Sequence, residues 1–125
     1  MALSAFGVVV RHLRENRQFS LRELAQLADI DHAYIYRLET GEKESPSEET
    51  VARLIKVLKA GAREADMLRF LAKQPDADPA LTEYVIKEDT TVTFDVFASA
   101  AGVRHRGVAP EPKELIDRIK RIVEG

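Results

Sequence analysis

Apolar residues recur at three- and four-residue steps along the first part of this chain, which is the period of helices that bury one face. The first such stripe predicts a helix that ends near Arg17, and its apolar positions are Leu3, Phe6, Val10 and Leu13. Similar stripes follow in four more segments before residue 75, with short polar stretches between them. Five short helices joined by short loops predict a compact helical domain over residues 1–75.

Two helix starts lie unusually close together. Ser20 and Glu23 have the spacing of a capping box, which predicts the start of a second helix. Asp31 is a good N-cap for a third helix, and Gly41 is placed to end it with a left-handed residue. The second helix must therefore be short, and about four residues join it to the third. Such a pair can pack nearly perpendicular and leave the outer face of its second member open.

The next two helices are predicted from similar signals. Pro46 and Ser47 suit the start of a fourth helix, which we expect to end near Gly61. A fifth helix is expected over about residues 63–73.

Residues 76–125 form a second region with weaker patterns. Residues 74–79 (QPDADP) predict a hinge, and residues 79–88 a short helix. Residues 91–97 (TVTFDVF) fit either a strand or the start of a helix, and we favour the helix because the chain offers no second strand as partner. Residues 112–123 predict a final amphipathic helix, which either folds back on the chain's own core or forms a homodimer interface.

Composition narrows the class of function. The 125 residues are 45% hydrophobic and 32% charged, contain no cysteine and carry a net charge of −2. The absence of cysteine excludes thiolate catalysis, disulfides and cysteine metal sites. The three histidines are scattered, and no serine lies in a nucleophile elbow. We therefore expect a cytoplasmic, non-membrane protein that is not an enzyme and has no metal or cofactor.

The stretch from Ser20 to Leu58 resembles the lambda-repressor-like, Xre-type helix-turn-helix family of transcriptional regulators. The resemblance covers about residues 3–60 and depends on many positions together: Arg14, Ser20, Glu23, Leu24, Ala25, Ile30, Ile35, Leu38, Glu39, Gly41, Pro46, Ser47 and Leu54. It implies a mainly α fold with a five-helix DNA-binding domain, and the patterns in residues 76–125 predict a small helical C-terminal extension after it.

The resemblance also places the DNA contacts. It implies a recognition helix at residues 32–40 that enters the major groove of double-stranded DNA. The residues expected to contact bases are His32, Ala33, Tyr36 and Arg37. Those expected to contact phosphates are the Leu21 amide, Arg22, Tyr34 and Lys43. Arg14 and Glu39 are expected to form a structural ion pair between the first helix and the recognition helix.

Three positions depart from the family pattern. Leu21 stands where glutamine is common, Asp29 stands where the turn commonly has glycine, and residues 42–44 (EKE) replace a loop that is often basic. Residues 1–60 hold nine Lys/Arg and nine Asp/Glu, which gives a net charge of zero. Because phosphate neutralisation supplies most non-specific affinity, we expect weak non-specific binding and a modest salt dependence.

Two hypotheses of different class follow. The first is a homodimeric repressor that binds a pseudo-palindromic operator, with residues 76–125 as the dimerisation, partner- or signal-binding region. The second is an antitoxin-like or protein-interaction module, in which a partner toxin, protease or polymerase is the main ligand and DNA binding is secondary or absent. The balanced charge of residues 1–60 favours the second hypothesis somewhat.

Overall fold

The protein, seen in a computed structural model that describes residues 3–42, 45–103, 105 and 107–124, is built from helices. Within those residues it contains no strand, and its elements in chain order are α1 Ala5–Asn16, α2 Leu21–Ala28, α3 His32–Thr40, α4 Glu48–Leu58, α5 Ala62–Ala72, α6 Pro79–Glu83, a π-helical segment Tyr84–Glu88, α7 Phe94–Ala101 and α8 Pro112–Val123. The predicted mainly α class and the helical C-terminal extension are confirmed.

Helix α1 lies at the centre of the fold. It packs against α3, α4, α5 and α6. The run from Ala5 to Val10 is therefore buried on all sides, whereas the predicted stripe buried only one face. Helix α6, which belongs to the C-terminal region of the chain, packs on α1 and accounts for the additional buried face. A continuous apolar run, rather than a periodic one, is the sequence signal of such a central helix.

The ends of α4 differ slightly from the prediction. Ser47 is the N-cap and its hydroxyl accepts from the Thr50 amide, so the helix begins at Glu48 and Pro46 lies outside it. The helix ends at Leu58 because Lys59 adopts the left-handed conformation, with φ of 49°. Gly61, expected to close α4, instead precedes α5 as its N-cap.

The C-terminal helices continue the same core. Helix α7 packs on α5 and α8, and its buried residues are Val96, Phe97 and Ala100. The helix favoured for the ambiguous segment is therefore confirmed from Phe94 onwards, with its buried face centred on Val96 and Phe97. Residues 79–88, expected as one helix, change to π-helical geometry at Tyr84, whose carbonyl accepts from the Asp89 amide.

Helix α8 buries only part of its predicted apolar stripe. Leu115, Ile116 and Ile119 are buried, whereas Ile122 is 73% exposed and Val123 is also exposed. The final turn of α8 thus extends past the surface on which the rest of the helix packs.

Candidate nucleic-acid interface

Helices α2 and α3 are held by the caps that the sequence predicts. The Ser20 amide donates to Glu23 Oε1 at 2.9 Å, and the Glu23 amide donates to Ser20 Oγ at 3.1 Å, which completes a capping box. The Ala33 amide donates to Asp31 Oδ1 at 3.2 Å at the start of α3. Between the two helices Asp29 takes the left-handed conformation, with φ of 56°. Aspartate tolerates this region better than most residues, which explains how the turn forms without glycine.

The inner and outer faces of α3 differ sharply. Ile35, Leu38 and Glu39 are buried against the core. On the outer face the His32 side chain is 51% exposed and Tyr36 is 41% exposed. Helix α3 packs on α1 and α2, and its outer face is exposed at His32 and Tyr36.

The other predicted contact residues of α3 are less exposed. Ala33 and Arg37 are half-buried, and Arg37 forms no ion pair with any residue that the structure describes. Tyr34 is also half-buried, and its ring packs against the hydrophobic core. Tyr34 therefore contributes to the packing of α3 on the core.

The predicted phosphate contacts lie beside this face or outside the described residues. Leu21 is the first residue of α2, so its amide has no partner four residues earlier within the helix. Arg22 is exposed and lines a groove of about 430 Å³ together with His32 and Gln26. Lys43 lies outside the described residues.

Gln26 is a candidate base contact that the sequence did not lead us to predict. It is exposed on α2 one turn after Arg22, in the same groove as His32. A glutamine amide matches the hydrogen-bonding edge of adenine in the major groove. The signal available in the sequence was the four-residue spacing from Arg22, which places both side chains on one face of α2.

An ion pair fixes α3 to α1. Arg14 Nε donates to Glu39 Oε2 at 3.0 Å, and Arg14 Nη2 donates to Glu39 Oε1 at 3.3 Å. Arg14 Nη1 also donates to the Phe19 carbonyl at 3.0 Å, so one guanidinium joins α1, α3 and the start of α2. Both side chains are largely shielded from water, at 13% and 5% exposure. This is the pair implied by the resemblance, in a two-pronged geometry that favours arginine.

A second connection between α1 and α3 was not predicted. Ser4 caps α1 by accepting from the Gly7 amide at 2.9 Å, and its hydroxyl donates to the Leu38 carbonyl at 3.1 Å. The Ser4 amide donates to the Glu39 carbonyl, also at 3.1 Å. At Gly7 the two helices approach so closely that an added Cβ would lie 1.9 Å from the Glu39 carbonyl oxygen. The C-terminal end of α3 is thus held by main-chain contacts that side-chain patterns do not reveal.

Acidic side chains lie at both ends of α3. Asp29 and Asp31 are exposed before it, and Glu42 is exposed after it. The nearest nitrogen of His32 is 3.9 Å from an Asp31 oxygen, which is too long for a hydrogen bond. The interface therefore has mixed charge, in agreement with the zero net charge of residues 1–60.

Comparison with known families identifies this arrangement. A family model described as a helix-turn-helix domain matches residues 5–68, which is just over half of the chain. The chain belongs to this helix-turn-helix domain family. The match is consistent with the lambda-repressor-like, Xre-type resemblance and indicates DNA binding. No match was found among curated proteins or solved structures.

Two further findings concern the chain outside the helix-turn-helix domain as well as within it. Among the described residues, no group of three or more histidine, aspartate or glutamate side chains is arranged to hold a metal ion. Over residues 3–42, 45–103, 105 and 107–124, no helix is both long and apolar enough to cross a bilayer.

Proposed function

We propose that this helix-turn-helix protein is a cytoplasmic, sequence-specific transcriptional regulator without catalytic activity, and that it recognises operator DNA through α3. The observation that carries the proposal is the open outer face of α3, whose exposed residues His32 and Tyr36 lie opposite a firmly anchored inner face. A firmly held helix with an exposed polar face is what insertion into the major groove requires.

The side chains of that face suit base recognition. Arg37 has no ion pair among the described residues, which leaves its guanidinium available for a two-pronged contact to guanine. Ala33 suits contact with a thymine methyl group, and His32 and Tyr36 supply hydrogen-bonding groups. The Leu21 amide, Arg22 and Tyr34 are proposed phosphate contacts, with Lys43 as a fourth from the loop after α3.

We further propose that the protein acts as a homodimeric repressor. A single domain with zero net charge over residues 1–60 gains little affinity from phosphates, so two recognition helices about 34 Å apart are needed for tight binding. The exposed apolar end of α8, formed by Ile122 and Val123, supports the assignment of dimer contacts to residues 76–125.

The acidic surroundings of α3 favour a second candidate function. Asp29, Asp31 and Glu42 would all repel a phosphate backbone, as expected of a protein-interaction or antitoxin-like module in which DNA is a secondary ligand. In that case a toxin, protease or polymerase would be the main partner.

Selection of bound sequences from random duplex DNA tests the proposal. A regulator that reads bases should enrich one motif, and a homodimer should enrich two inverted copies with centres about 10 base pairs, or a multiple of that, apart. A gel shift at low and moderate salt then separates the two candidates, since a protein-interaction module should show no preference for the selected sequence. Failure to enrich any motif would contradict the proposed function.

A further inference from the structure

Helix α2 lines two different grooves. Arg22 and Gln26 line the groove shared with the start of α3, whereas Leu27 and Ala28 line a second groove, which is shared with α4. The second groove has a volume of about 480 Å³ and is lined by Phe19, Leu27, Ala28, Arg53, Lys56, Val57 and Lys59. None of these residues belongs to the set proposed to contact DNA.

The floor of the α2–α4 groove is apolar. Leu27 is 58% exposed, and Phe19 and Val57 are partly buried beside it, packed on the core. One exposed leucine on a protein surface needs no explanation. Three apolar side chains that share one concave surface are more informative, because such sites commonly hold the apolar side chains of a ligand.

The rim of the α2–α4 groove is basic. Arg53 is fixed there, since its Nη2 donates to Glu49 Oε1 at 2.8 Å and its Nη1 to the Asp29 carbonyl at 3.0 Å. Lys56 and Lys59 are exposed and form no ion pair with a described residue.

Among the described residues, the charged side chains that line the groove are all basic, and only Arg53 is paired with an acidic residue, Glu49 at its outer edge. The acidic residue one turn before Leu27 is Glu23, and its carboxylate is already bound to the Ser20 amide in the capping box. Arg17 adds a further exposed cation at the end of α4, where its Nε donates to the Leu58 carbonyl at 3.1 Å.

We propose that the α2–α4 groove binds an acidic amphipathic segment of a partner protein. Apolar side chains of the segment would cover Leu27, and its carboxylates would pair with Lys56 and Lys59. A DNA backbone is the poorer fit, because phosphates and sugars would leave the apolar floor uncovered. Since a different side of α2 lines this groove, the partner would leave α3 open, and the protein can hold DNA and partner together. The inference goes beyond the proposed function and does not depend on it.

Selection of short random peptides displayed on phage, with the full-length protein as bait, tests the proposal. We expect enrichment of peptides that combine aspartate or glutamate with apolar residues at helical spacing. Leu27→Asp and the double variant Lys56→Glu/Lys59→Glu should each weaken binding of the selected peptides by about tenfold or more, measured by fluorescence anisotropy. All three side chains are exposed, so both variants should stay folded, with unfolding temperatures a few degrees below wild type because an acidic residue is unfavourable near the C-terminal end of a helix.

Variants outside the groove provide the controls. Val108→Asp changes an apolar residue that is 97% exposed, and Lys113→Glu changes an exposed lysine; neither should alter peptide binding. Selected peptides without acidic residues, or peptides that bind the groove variants as well as the wild type, would overturn the proposal. One further result would overturn the proposal: the double lysine variant binds peptides normally, but its DNA binding depends less steeply on salt, by about two phosphate contacts. The lysines would then be phosphate contacts.

Discussion

Arg14 and Glu39 form a largely buried ion pair that joins α3 to α1. Their two hydrogen bonds, at 3.0 Å and 3.3 Å, lie in a largely buried position, and removal of one partner leaves the other charge without compensation. The sequence resemblance identified this pair. It could not show that Arg14 also binds the Phe19 carbonyl and so connects α1 to the start of α2.

We expect Arg14→Ala to lower the free energy of unfolding by about 3 kcal/mol, because it leaves the Glu39 carboxylate buried and unpaired. Arg11→Ala is the matched control. Arg11 lies on the same helix and pairs with Glu15 at the surface, so its loss should cost less than about 1 kcal/mol. Urea denaturation of the three proteins measures both values. Equal losses in the two variants would show that the Arg14–Glu39 pair has no special structural role.

His12 gives the stability a dependence on pH. It lies on α1, lines a pocket together with Lys87, and its ring is 3.1 Å from the Asn16 amide nitrogen. Burial, and then the positive charge of Lys87, lower the pKa of His12 below its ordinary value of 6.5, although Glu64 and Glu15 act in the opposite direction.

A lowered histidine pKa means that the unfolded chain binds this proton more readily than the folded chain. The contribution of His12 to the free energy of unfolding is therefore fully present above about pH 6.5. It is lost as the pH falls towards the pKa of His12 in the folded protein. We expect His12→Gln to lose less stability than the wild type between pH 7.5 and pH 5, measured by urea denaturation at each pH. If acidification destabilised both proteins equally, His12 would not be the group responsible.

At the scale of elements, the cap signals gave the most accurate predictions. Ser20, Asp31 and Gly41 each act at the end of one helix, so their effect is local and can be read from a few residues. The extent of burial could not be read in this way. The buried faces of α1 and α7 depend on which distant helices pack against them, and the sequence pattern does not contain that information.

The contact between α1 and α3 is the clearest feature that side-chain patterns did not predict. We expect Gly7→Ala to destabilise the protein by about 3 kcal/mol, since the new methyl group would lie 1.9 Å from the Glu39 carbonyl oxygen and the helices must move apart. Gly102→Ala is the control, because its Cβ would lie 3.6 Å from the Ala98 carbonyl oxygen, an ordinary contact; its effect should stay within about 0.5 kcal/mol. Thermal unfolding of both variants measures the difference. Equal unfolding midpoints for Gly7→Ala and Gly102→Ala would contradict this account.

At the scale of the whole molecule, the helix-turn-helix domain and the C-terminal region share one hydrophobic core. Helix α6 packs on α1, and α1 in turn holds α3, so residues 76–125 contact the element that positions the candidate DNA-binding face. The sequence predicted a hinge at residues 74–79 and treated the two regions separately. The shared core depends on contacts between residues far apart in the chain, which local patterns do not specify.

The central claim is that the outer face of α3 reads bases, and it is tested most directly by the affinity of Arg37→Ala for the selected operator. Fluorescence anisotropy should show binding weaker than wild type by about 10- to 100-fold, because a two-pronged contact to guanine is lost. Binding to unrelated DNA should change little, and Lys113→Ala, on the surface of α8, should behave as wild type. If Arg37→Ala bound the operator as tightly as the wild-type protein, α3 would not be the reading surface proposed here.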